Sequence, residues 1–380
     1  MAQPADAVLM GNEAIARAFL AQGAQVVAAY PGTPSSEILD AAARWKVAEA
    51  LEHVHVEWSI NEKIAFETAF AAAMAGKRSA VAMKQVGLNV ASDPFLSAAY
   101  MGVVGGMILV AADDPGPHSS QTEQDSRFYA MLAKVPALDP ASPREAGEFV
   151  TRAYELSERF RIPVLLRHTT RVCHARQTMD FEALPSPGSL PAARFEKDPA
   201  RWTATPRFRF LLHGELERKL DAIRGLEIAR PRLTGGNPDA PRAILALGIP
   251  WAHLTDLFAE EPVLAKNLAL YKLDLAFPLD PEALAALTEQ HAQVLVLEET
   301  DPVAELQFRS RQRVRGRLDG CVPRAGELGP EVVARLAGDF LGERLHVPEI
   351  PNQPGRRPSL CAGCGHRSAF YLLRKAFPKG

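Results

Sequence analysis

Four cysteines in 380 residues are too few to staple a chain of this length, which excludes a secreted disulfide framework. Cys173 and Cys321 stand alone and read as small apolar side chains. Cys361 and Cys364 form a CxxC pair. Charge of one sign is also scarce. A formal net charge of -2 supplies no basic field to hold a polyanion, so nucleic acid and anionic membranes are not expected as partners. Long apolar runs are missing too. The longest, residues 98–112, is broken by three glycines and is too short to span a bilayer. Met1-Ala2-Gln3-Pro4-Ala5-Asp6 lacks the basic start and apolar core of a secretory signal. Together these absences predict a cytoplasmic protein.

What is present is ordinary globular material in more than one piece. A chain of 380 residues exceeds what a single hydrophobic core serves, which predicts two or three domains. With 26 glycines and 30 prolines, many tight turns and a proline-rich linker are expected.

From residue 6 to about 175, short apolar runs alternate with amphipathic stretches. Val8-Leu9-Met10 leads into a helix over 12–22 that ends at Gly23, followed by a strand over 25–29 and helices over 34–45 and 61–75. Strands follow at 79–83, 106–111 and 163–166, with helices around 93–100 and over 144–160. Such alternation implies a doubly wound, mainly parallel sheet. Residues 181–240 break the rhythm and read as a linker with a helical arm over 214–224. The alternation resumes over 241–345, with strands at 243–247, 269–273 and 293–297 and helices at 251–258, 281–291 and 330–340. Four prolines between Val347 and Pro358 mark a connector, after which something new begins.

Five constellations could carry chemistry. Tyr30-Pro31-Gly32-Thr33-Pro34-Ser35-Ser36-Glu37 follows a strand, where open parallel sheets bind ligands; Thr33 also suits an N-cap with Pro34 at the first helical position. In Glu57-Trp58-Ser59-Ile60-Asn61-Glu62-Lys63, Ser59 and Glu62 have the spacing of a capping box. Lys84-Gln85-Val86-Gly87-Leu88-Asn89-Val90 reads as a glycine-containing loop. Residues 113–127, from Asp113 through Ser119 and Ser120 to Arg127, form a polar stretch long enough to be functional or simply solvated. Cys361-Ala362-Gly363-Cys364-Gly365-His366 places two thiols at one turn. That is half of an iron–sulfur site, half of a zinc site, a redox pair or coincidence.

In this order, YPGTPSSE, EWSINEK, AMKQVGLNVASDP, ADDPGPHSSQTEQDSR, IPVLLRHTTRVCH and LCAGCGHR resemble the large subunits of indolepyruvate:ferredoxin oxidoreductases. These belong to the thiamine-diphosphate-dependent 2-oxoacid:ferredoxin oxidoreductases. The resemblance is dense over 6–176 and 358–377 and looser over 242–340. It implies a pyrimidine-binding domain over 1–180, a transketolase-C-terminal-like domain over 241–345 and the start of a diphosphate-binding domain over 355–380. The activity implied is oxidative decarboxylation of arylpyruvates to aryl-acetyl-CoA, with thiamine diphosphate, Mg2+, [4Fe-4S] clusters and coenzyme A. A small beta subunit, ferredoxin and the remaining diphosphate-binding and ferredoxin-like domains are the implied partners.

Glu62 falls where the family holds a carboxylate against ring N1′ of the cofactor, favouring the imino form that acts as internal base. Thr33 matches a threonine near the 2-oxoacid. Gly87, Asn89, Gly363, Gly365 and His366 match cofactor-binding segments, and Cys361 and Cys364 match two cluster ligands. One departure stands out. Pyruvate-specific relatives carry an arginine for the substrate carboxylate after the strand at 106–112, where this chain has Asp113 and Asp114. Arg127, with Ser119 and Ser120, is the expected replacement. The family's magnesium–diphosphate motif and its other cluster cysteines have no counterpart here, so turnover by this chain alone is not expected. Competing readings are an enzyme for aliphatic 2-oxoacids, a non-catalytic scaffold subunit, or a zinc-binding α/β protein resting on the CxxC alone.

Overall fold

The computed structural model describes residues 7–180, 184–185, 190–203, 205–345, 360 and 363–378. They fall into two compact units, Met1–His346 and Val347–Gly380.

The first unit is built on a seven-stranded sheet. Its strands run, from one edge to the other, Leu275–Phe277, Ala137–Leu138, Val164–Thr169, Met107–Asp113, Ser79–Lys84, Val26–Ala29 and His55–Trp58. All neighbours are parallel except the Leu275–Phe277 edge. The central strands read Ser-Ala-Val-Ala-Met and Met-Ile-Leu-Val-Ala-Ala, wholly buried, as strands covered on both faces must be. On one face Phe66 and Phe95 pack edge to face, 5.9 Å between centroids. On the other, Phe19 meets Tyr154 at 6.5 Å. Each such buried aromatic contributes about 1.5–3 kcal/mol by leaving water. The helix Pro143–Phe160 shows the local logic. Ser142 caps it by accepting from the Glu145 amide at 3.2 Å, Pro143 opens it, and Ala146, Phe149, Val150, Ala153 and Tyr154 form its buried stripe.

A second sheet orders Val314–Arg315, Gln293–Leu297, Arg242–Ala246, Leu268–Lys272 and Arg232–Gly236, with only the last pairing antiparallel. Leu245, Val294 and Val296 share a continuous core with Leu109 and Leu165 of the first sheet. The α/β architecture with mainly parallel sheets is therefore as expected, but three details differ. The strand Leu275–Phe277 leaves the second region to pair with Leu138 and Ala137 of the first. The presumed linker supplies a longer helix, Pro206–Arg224, whose Leu216 and Leu220 enter the first core, and also the strand Arg232–Gly236. The third concerns residues 84–90, which form no loop. The strand Ser79–Lys84 runs straight into the helix Gln85–Met101, which accommodates Pro94. The second unit contributes the helix Gly365–Ala376, exposed along its described length. No described helix is long and apolar enough to cross a membrane.

Candidate active site

Four of the five constellations follow strands of the seven-stranded sheet and so gather at its carboxyl end. The chain passes from Val26–Ala29 to its neighbour His55–Trp58, then crosses back to Ser79–Lys84 on the other side. Such a reversal, between the carboxyl ends of two parallel strands, is where sheets of this kind form a ligand crevice.

On one side of the crevice lies the Pro31–Glu37 turn. Buried Asn12 anchors it, donating to the Pro34 carbonyl at 2.6 Å and to Glu37 at 2.9 Å. Thr33 does not cap the helix. The helix begins at Ser36, whose hydroxyl accepts from the Gly32 amide at 2.9 Å, and Thr33 is left exposed. Ser119 reaches it, its hydroxyl donating to the Thr33 carbonyl at 3.5 Å. Ser119 and Ser120 are themselves held by Asp114, at 2.9 Å through the Ser119 amide and 2.6 Å through the Ser120 hydroxyl. Burial acts to raise the Asp114 pKa, but hydrogen bonds from Ser120, the Ser119 amide and Thr170 prevail and hold it below the usual carboxylate value. Gln85 donates to the Ser120 hydroxyl at 3.0 Å. Thr33, Ser119 and Ser120 are thus brought together.

On the other side lies Glu62, freed from the capping role its spacing suggested. Asn61 caps the helix Glu62–Met74 instead, accepting from the Ile64 amide at 2.9 Å, while the Ser59 hydroxyl turns to Glu57. The Glu62 side chain lies against the first turn of the Gln85–Met101 helix. A Cβ on Gly87 would sit 2.6 Å from both its Cγ and its Oε1. Only glycine leaves room for this carboxylate. Among the described residues Glu62 has no hydrogen-bond or ion-pair partner, so its oxygens are available to a donor from outside the chain.

Other expected residues lie elsewhere. Asn89 is exposed, donating to Gln124 at 3.1 Å and accepting from Tyr129 at 2.7 Å. The expectation for Arg127 is corrected. It is fully buried, with its guanidinium engaged by Asp125 at 2.6 Å, Glu298 at 3.0 Å, Asp139 at 3.3 Å and the Asp301 carbonyl at 2.8 Å. In this arrangement it has nothing left for a substrate. Gly363, Cys364, Gly365 and His366 lie in the second unit, where the Cys364 Sγ stands 3.4 Å from His366 Nδ1. Cys361 lies outside the described residues. The described residues gather no group of three or more His, Cys, Asp or Glu able to hold a metal. They do fit the pyrimidine end of thiamine diphosphate, through the partnerless Glu62 carboxylate and the Gly87 cradle.

Lys84 was not singled out from sequence. It ends an otherwise apolar strand at the crevice, and its ammonium donates to the Ser119 carbonyl at 3.2 Å. A lone cation after such a strand was the available signal.

A mainly parallel α/β sheet with a glutamate, partnerless among the described residues, beside its switch point has the form of a ligand site in an α/β enzyme. Residues 17–207 match the family described as "Pyruvate flavodoxin/ferredoxin oxidoreductase, thiamine diP-bdg", and the chain belongs to it. Over 97% of its length the chain is 38% identical to indolepyruvate oxidoreductase subunit IorA of Methanothermobacter thermautotrophicus. It is 40% identical to the subunit of that name from Thermococcus kodakarensis. It spans 60% and 59% of these two relatives. In fold it is similar to a 2-oxoglutarate:ferredoxin oxidoreductase from Magnetococcus marinus solved with 2-oxoglutarate, coenzyme A and succinyl-CoA. That likeness has a TM-score of 0.67 at 14% identity, covering 82% of this chain and 62% of that one.

Proposed function

We propose that this chain holds the pyrimidine end of thiamine diphosphate in an oxidoreductase that decarboxylates arylpyruvates such as indolepyruvate to aryl-acetyl-CoA. The observation that carries this reading is the Glu62 carboxylate, partnerless among the described residues and lodged against Gly87. When bound, the cofactor supplies the nucleophilic carbon and the electron sink that no amino-acid side chain provides. Glu62 would accept a hydrogen bond from a protonated ring nitrogen of the cofactor, and the Gly87 turn fixes the carboxylate's position. Thr33, Ser119 and Ser120 offer polar groups around the substrate. Mg2+, [4Fe-4S] clusters liganded in part by Cys361 and Cys364, ferredoxin and a small beta subunit complete this reading within a larger cytoplasmic assembly. The similarity to IorA subunits supports arylpyruvates over aliphatic 2-oxoacids.

The decisive experiment is Glu62→Gln in the purified complex, with indolepyruvate, coenzyme A and a viologen acceptor. The expected result is a fall in kcat of about 100-fold or more, the scale of a lost acid–base contribution, with the complex intact. Undiminished turnover would favour a scaffold role instead. A panel of aliphatic and aryl 2-oxoacids tests the substrate class in the same assay.

A further inference from the structure

An arylpyruvate carries a carboxylate that the site must recognise, and the arginine expected to do so is unavailable. Six cations described near this end of the sheet are committed. Arg127 is held by Asp125, Asp139 and Glu298, and Arg167 by Asp113 at 2.8 Å and Asp139 at 3.1 Å. Arg171 and His118 both meet Glu327, His174 meets Glu37, and Lys63 meets Asp93. Lys84 differs from all of these. It forms no ion pair among the described residues, and its one hydrogen-bond acceptor is a neutral backbone carbonyl. An ammonium has three donors to place, so two remain for a ligand.

Its position is built. The stem packs on the Pro31–Glu37 turn, where a Cβ on Gly32 would lie 3.1 Å from the Lys84 Cβ and 3.7 Å from its Cδ. The ammonium is directed to the loop that carries Ser119 and Ser120, beside Thr33. Half-buried and without an ion pair among the described residues, Lys84 has a pKa lowered chiefly by desolvation, which the Asp114 charge offsets only in part. A bound anion would relieve that cost.

We infer that Lys84 is the cation that binds the 2-oxoacid carboxylate, assisted by the Thr33–Ser119 edge of the crevice. The inference rests on the proposed function and supplies the specificity element that the buried Arg127 does not.

The test uses the purified complex with Lys84→Met and Lys84→Arg. For Lys84→Met, KM for indolepyruvate rises about 10- to 100-fold, the equivalent of one charge-assisted hydrogen bond. Lys84→Arg restores most of the loss. Indole-3-propionate, which keeps ring and carboxylate but cannot react, weakens as a competitive inhibitor of Lys84→Met by a similar factor. Its neutral amide inhibits wild type and variant equally. Thiamine diphosphate content stays that of wild type. Unchanged KM and inhibition constants would overturn the assignment, as would loss of thiamine diphosphate with KM intact. If instead wild-type complex oxidises no 2-oxoacid, the proposed function itself has failed.

Discussion

Gly87 is the residue on which the site's geometry turns. It lies in the first turn of the helix Gln85–Met101, where alanine would ordinarily be preferred, by up to about 1 kcal/mol. The observed reason for glycine is the Glu62 side chain, 2.6 Å from where a Cβ would stand. That neighbour is the end of a flexible side chain, so Gly87→Ala is expected to displace Glu62 without unfolding the helix. The variant should match or exceed wild-type thermal stability while losing nearly as much kcat as Glu62→Gln. Thermal denaturation and steady-state turnover on one preparation check both halves. Full activity in Gly87→Ala would show that the carboxylate's place against this turn is immaterial. Residue types and order singled out Glu62, Thr33, Ser119 and Ser120 in the sequence, and the structure places all four at the carboxyl end of the seven-stranded sheet. The fates of Arg127 and Lys84 were not, because pairing among charges is decided by tertiary contacts. A polar run such as 113–127 looks solvated until its acids and arginines are seen to neutralise one another.

At the scale of elements, the start of the helix Glu62–Met74 separates two local rules. The sequence spacing favours a Ser59–Glu62 capping box, yet the structure starts the helix two residues later and caps it with Asn61. The shift leaves Glu62 at the first helical position with its carboxylate unused by the backbone. Asn61→Ala should cost about 1 kcal/mol of stability, whereas Ser59→Ala, which removes a side-chain contact to Glu57 and no helix cap, should cost less. Denaturant midpoints of the two variants decide it, and a reversed ranking would restore the capping box. The same limit of local reading explains the missed elements. His55–Trp58 is half-exposed and lacks an apolar run, and Leu275–Phe277 is three residues long. Helix Pro206–Arg224 opens with Arg207-Phe208-Arg209-Phe210, whose alternation masks its helical period. Long buried strands and capped helices declared themselves because burial and capping leave signatures within a few residues.

Across the whole first unit, a buried ionic cluster joins the carboxyl end of the seven-stranded sheet to the segment that follows Gln293–Leu297. Arg127 and Arg167 are surrounded by Asp113, Asp125, Asp139 and Glu298. Thr300 closes it, donating its amide to Asp125 at 3.0 Å and accepting from Arg167 at 3.2 Å. Four carboxylates against two guanidiniums cannot all be ionised cheaply out of water. Burial pushes Glu298 up to about 7 and Asp113 up to about 6. For Asp125, burial is outweighed by Arg127, which holds it well below the usual carboxylate range. For Glu298, with the folded value above the unfolded one, the native state binds a proton that the unfolded chain releases. Its stabilising contribution is therefore complete below the ordinary glutamate range and is lost as pH rises toward 7. Asp125 works in reverse, losing its contribution only in strong acid. Between pH 5 and 7, Glu298 should lower the unfolding free energy by up to about 1.4 kcal/mol per pH unit as pH rises, against the opposite slope of buried His168, whose pKa desolvation lowers to about 3. In Glu298→Gln that contribution disappears, so the slope of its stability against pH should be more positive than that of wild type over the same interval, whatever its absolute height. Urea titrations at half-unit steps of pH would measure both slopes. Equal slopes would mean that Glu298 is ionised in the folded protein at pH 5, with its charge fully met by Arg127.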